Sequence, residues 1–121
     1  MPIESKYLLS VCMDVEPAKE RLFNEVYDEE HVPDLLSVPG VLSIARFKKR
    51  ELRMIIGGKM QTFVFDNEPD YACLYELQSP EVLTSAAWAE RVDKGRWSAQ
   101  VRPYTRNRRH ILYESRQVGT K

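Results

Sequence analysis

The sequence has little of what marks a metal or cofactor protein. It holds two cysteines, Cys12 and Cys73, with no Cys-x-x-Cys pair, and two histidines, His31 and His110. That is too few ligands for a zinc centre of the usual kind, so no metal is expected. Its five glycines form no phosphate loop and no dinucleotide fingerprint, and there is no serine nucleophile elbow. Nothing implies ATP, NAD or flavin, and the expectation is no cofactor. An excess of one charge is also missing: 18 Lys and Arg balance 18 Asp and Glu. This argues against a dedicated nucleic-acid or membrane-surface binder. No apolar run approaches the roughly 20 residues of a membrane span. The start, MPIESKYLL, puts an acid before any apolar run, so no secretory signal is expected. Each cysteine lies in an apolar, strand-like run, which suggests two buried free thiols in a reducing cytoplasm.

What is present is the material of one globular domain, residues 1–121, with 43% hydrophobic residues. Residues 6–13 read as a first strand. Leu22, Phe23, Val26 and Tyr27 give one face of a helix from Ala18 to about His31, and Pro33 ends or kinks it near Val32. Residues 41–49 read as a strand, with Val41, Ser43, Ala45 and Phe47 on one side and Leu42, Ile44 and Arg46 on the other. Residues 51–65 suggest an extra hairpin turning at Gly57-Gly58. Residues 70–77 form another strand, with Tyr71, Cys73, Tyr75 and Leu77 on one face. Ser79 and Pro80 open a second helix carrying Val82, Leu83, Ala86, Ala87, Trp88 and Val92, and Gly95 stops it. Residues 108–116 read as the last strand. The order is α+β: a ferredoxin-like βαββαβ protomer with a hairpin added. Two helices cover one sheet face. Apolar residues on the other face predict a homodimer, sheet against sheet.

Charge is segregated although the total is zero. Residues 14–34 hold eight acids and two bases; residues 102–121 hold six bases and one acid. The acidic stretch reads as a solvated helix face and the basic one as a guarded edge strand, with salt bridges inside the dimer or anion recognition as alternatives. The run Tyr27-Asp28-Glu29-Glu30-His31-Val32-Pro33-Asp34 is the one with chemistry in it. Tyr27 and His31 are four apart and share a helix face with Phe23. A helix end at Pro33 favours a charged imidazole, as do Asp28, Glu30 and Asp34 if they approach it. A histidine titrating near neutrality suits acid–base work. The competing reading is a C-terminal cap. His110, among arginines, reads as structural or as a second polar group in the same cavity. Tyr75 and Trp88 read as core aromatics that can also line a small-molecule pocket.

The run YDEEHVPDLLSVPGVLSIARF, with YACLYEL and SPEVLTSAAW after it, resembles the EthD-like branch of the dimeric α/β-barrel superfamily. The resemblance spans residues 6–117 and is most specific at Tyr27, His31, Pro33 and Pro39-Gly40-Val41. It implies a protomer that pairs sheet to sheet into a barrel with helices outside. It implies a cavity histidine, His31, with Tyr27 beside it. The superfamily includes cofactor-independent enzymes and haem-degrading members. Segment 50–66 is longer than the loop the resemblance leads one to expect.

The resulting expectation is a cytoplasmic homodimeric enzyme needing no cofactor. It would act on a small apolar or aromatic acid or ketone by proton transfer: isomerisation, dehydration, decarboxylation or cyclisation. His31 and Tyr27 are the expected catalytic residues, with Phe23, Asp34, Tyr75 and Trp88 around the substrate. The alternative is a non-catalytic ligand-binding or structural dimer.

Overall fold

In the computed structural model, which describes residues 3–121, the two-residue period of the sequence sets the sheet. Strand β1 (Tyr7–Val15) buries Leu9, Val11, Met13 and Val15 on one side and turns Leu8, Ser10, Cys12 and Asp14 to the other. After a 3-10 turn at Pro17–Lys19 come α1 (Glu20–Val26), a π turn (Tyr27–His31) and α2 (Val32–Leu36). Then follow β2 (Val41–Lys48), the hairpin β3 (Leu52–Ile56) and β4 (Lys59–Phe63), and β5 (Tyr71–Leu77). A 3-10 turn (Pro80–Thr84), α3 (Ala86–Val92), a second π turn (Trp97–Val101) and a 3-10 turn (Arg102–Tyr104) lead to β6 (Thr105–Glu114). The main sheet runs β2-β5-β1-β6, with every neighbour antiparallel. This is the strand order of a ferredoxin-like protomer.

Four details depart from the sequence reading. The first helix does not end at Pro33. In the π turn the Val32 amide bonds the Tyr27 carbonyl, five residues back. That shift puts Pro33 in the first turn of α2, where a missing amide hydrogen costs nothing. The second helix is broken. Ser85 is extended (φ −76°, ψ 156°), and its hydroxyl accepts the Trp88 amide, so Ser85 and not Ser79 caps α3. In β2 the register shifts between Val41 and Ser43, so Val41 joins Ile44 and Arg46 on the helix side. The last strand begins at Thr105 and carries a bulge: Cys12 pairs with Arg109, but Asp14 pairs with Arg106. Asn107, at φ 52°, is in the left-handed region there.

The core lies between the helices and one sheet face. Phe23, Val26, Leu35, Tyr75, Leu77 and Val101 are its most buried members. The other face is uncovered: Phe47, Ile111 and Tyr113 are 50%, 43% and 50% exposed. Both thiols are free, Cys73 toward the helices and Cys12 on the open face. The hairpin turns at Gly57 and Gly58, both at positive φ, and β3 is exposed along its whole length. Among the described residues no helix is long and apolar enough to cross a membrane.

Candidate active site

The π turn places Tyr27 and His31 on the inner side of the helix layer, their rings 5.2 Å apart and edge-to-face. His31 lies flat on Trp97, at 4.2 Å and 16°. Tyr27 reaches the sheet, where its hydroxyl is 3.3 Å from that of Tyr75 on β5. Trp88 of α3 meets Tyr75 edge-on at 5.9 Å. These aromatics, with Leu9, Val11 and Met13 beneath them and Leu35 and Val92 beside them, enclose a cavity of about 90 Å³. Arg102, Thr105, Arg108 and His110 complete its lining.

His31 is 3% exposed, and its Nδ1 is buried with no hydrogen-bond partner among the described residues. Burial lowers its pKa to about 3; the Arg102 and Arg46 charges push the same way, and Asp93 opposes them. The expectation of a helix end raising its basicity is therefore corrected. His31 stands mid-helix, because α2 continues past it, and the π turn leaves no open C-terminus beside the ring. Nor do the nearby carboxylates orient it. Asp28 binds Arg46 at 2.5 Å, Glu30 binds Arg96 at 2.5 Å, and no hydrogen bond joins Asp34 to His31. At neutral pH the imidazole is uncharged. Burial also raises the phenols of Tyr27 and Tyr75, which stay protonated and act as donors.

Of the residues singled out in the sequence, His31, Tyr27, Tyr75 and Trp88 meet at the cavity. Phe23 and Asp34 do not line it. Phe23 is fully buried one turn earlier, packed on Tyr27, Tyr71 and Trp97, and serves the core. Asp34 lies half-buried in the first turn of α2. Sequence reasoning did not single out Trp97, Arg102 and Arg108. Trp97 belongs to a segment that showed only a turn, and the arginines read as edge protection. The one legible signal was His110, which sits in the cavity lining as the second polar group.

No protein-family model matches the chain, and no curated protein does. Solved structures do. A variant of MhuD with two manganese protoporphyrin IX groups bound per active site is 16% identical, with a TM-score of 0.57 over 94% of this chain and 99% of that one. The haem-degrader MhuD from Mycobacterium tuberculosis, with two haems in its active site, is 16% identical, with a TM-score of 0.53 over 93% and 99%. An ethyl tert-butyl ether D (EthD) family protein from Bacillus halodurans is 12% identical, with a TM-score of 0.56 over 90% and 98%. The protomer has the dimeric α/β-barrel fold. At these identities the likeness carries the fold alone. The cavity here lies between the helix layer and the sheet face that the helices cover.

Proposed function

We propose that the protein is a homodimer that binds a small acid or ketone in this cavity and moves a proton on it, without a bound cofactor. The observation that carries the reading is His31: an uncharged, buried imidazole with an unpaired nitrogen, in the wall of a cavity beside two neutral phenols. A buried polar atom left unpaired costs stability, and such atoms collect at functional sites. The neutral ring holds a lone pair on one nitrogen, and with a pKa of about 3 it suits the return of a proton to the substrate better than its removal from carbon. Tyr27 and Tyr75 share a hydrogen bond, so one of the two hydroxyls keeps a free hydrogen to donate to a substrate oxygen, lowering the cost of the charge that develops there. Homodimerisation is supported by the uncovered sheet face, and the reducing cytoplasm by two free thiols.

The haem of the structural neighbours does not fit here. Pockets for drug-sized ligands run to roughly 300–1,000 Å³, and this cavity is about 90 Å³. His31, moreover, is stacked face to face on Trp97 instead of standing free as an axial ligand.

The test is exchange of hydrogen for deuterium next to the carbonyl of small ketones and acids in heavy water, followed by NMR. Exchange above buffer in the wild type, and its loss in His31→Gln, is the expected result. No exchange, or equal exchange in both proteins, overturns the catalytic reading. One observation favours a second reading, ligand binding without turnover: a pKa of about 3 makes His31 a weak base. Binding without exchange is its signature.

A further inference from the structure

The mouth of the cavity is charged and its walls are not. Arg108 and His110 are exposed residues on the cavity side of β6, whereas His31, Tyr27 and Tyr75 are buried at its inner end. The two arginines of the lining differ. Arg102 is neutralised by Asp93 at 2.6 Å and donates to the Val92 carbonyl at 3.0 Å. Arg108 has no carboxylate within salt-bridge reach among the described residues. Its neighbour Arg109 points to the opposite face and meets Glu68 at 3.6 Å. Edge protection therefore accounts for Arg109 but leaves the Arg108 charge facing an apolar cavity. Partial burial, joined by that charge, already depresses the pKa of His110. A cation at the rim of a water-poor cleft attracts an anion more strongly than one on open surface.

We propose that the cavity takes a small organic monocarboxylate, with the carboxylate on the Arg108 guanidinium at the mouth and the apolar body between Trp88 and Trp97. The guanidinium fork matches the two carboxylate oxygens. The cavity sets the size of the body. An apolar cavity of about 150 Å³ holds benzene, and this one is about 90 Å³, room for roughly four carbon atoms. This inference rests on the small-molecule reading above and names the class of its ligand.

Trp88 and Trp97 are the chain's two tryptophans, and both line the cavity, so their fluorescence reports on it directly. The protein is titrated with isobutyrate, isovalerate and the neutral isostere isobutyramide at low ionic strength. The acids should bind at least about tenfold tighter than the amide. That preference should shrink with added salt, vanish in Arg108→Gln and persist in Arg108→Lys. Arg108 is exposed, and equal melting temperatures will show that both variants fold. Equal binding of acid and amide, an unchanged preference in Arg108→Gln, or no fluorescence response to any probe overturns the proposal. The two readings fail separately. Carboxylate binding without deuterium exchange removes the catalysis and leaves the anion site. Exchange without a preference for the acid removes the anion site alone.

Discussion

His31 shows how burial reverses the behaviour that a sequence assigns to a side chain. The sequence puts it beside three carboxylates and a proline, an arrangement that raises basicity. The fold removes it from water, hands two of the carboxylates, Asp28 and Glu30, to arginines, and lowers its pKa to about 3. Because the folded value lies below the unfolded one, the unfolded chain binds the extra proton between about pH 6.5 and 3. The stability that depends on a neutral His31 is thus fully present above pH 6.5 and declines as pH falls. At pH 5 the loss is ~2 kcal/mol. Urea unfolding at fixed protein concentration should show this loss in the wild type and not in His31→Phe. The variant should also melt higher at pH 7, because it removes an unpaired nitrogen while keeping a flat ring on Trp97. An equal acid dependence in both proteins would contradict the assignment.

Among the elements, those with a strong period were legible and those shaped by one special residue were not. β1 alternates cleanly, and β5 does so until Glu76, which is buried on the other face, so their core-facing sides could be read directly. Tyr27 and Tyr75 could be placed toward the interior for the same reason. The π turn could not be foreseen, because five residues are too few to show a periodicity of their own. The same holds for Trp97, whose five-residue π turn is too short to show a face. Gly40 is a special residue of the other kind: Pro39-Gly40 reads as a turn in the sequence, and the chain turns there. It sits at φ 93°, and an added Cβ there would run into the Val82 side chain. Gly40→Ala should therefore destabilise the protein by about 1–3 kcal/mol, through both backbone strain and collision. Gly57→Ala meets nothing in space and carries the strain alone, so it should cost less. Chemical denaturation of the two variants side by side checks the order.

For the whole molecule, the uncovered sheet face dominates. Phe47 on β2 and Ile111 on β6 are half exposed on opposite edges of that face. Replacing both with aspartate should leave the protomer folded and shift it from dimer to monomer in sedimentation experiments, since neither side chain belongs to the protomer core. A dimer that persists with both aspartates would place the interface elsewhere. Fold class was readable from the order of elements, while the cavity walls were not, because they come from six separate segments that only the packing brings together. The bulge in β6 adds one thing more. Asn107 is the surplus residue opposite β1, and it donates to Asp14 at 3.1 Å and to the Asn67 carbonyl at 3.0 Å. Deleting it would regularise the strand without turning any side chain over: Arg108 would come to oppose Met13, and Thr105 would still oppose Val15. The loss would be one contact to the loop behind the hairpin, at the Asn67 carbonyl, while Arg109 still reaches Asn67 and Glu68 and the Asp70 amide still donates to Asp14. Losing this one residue would leave the cavity walls in place and the loop still held by Arg109, so the bulge adjusts how tightly the two parts of the molecule are joined and not whether they are joined.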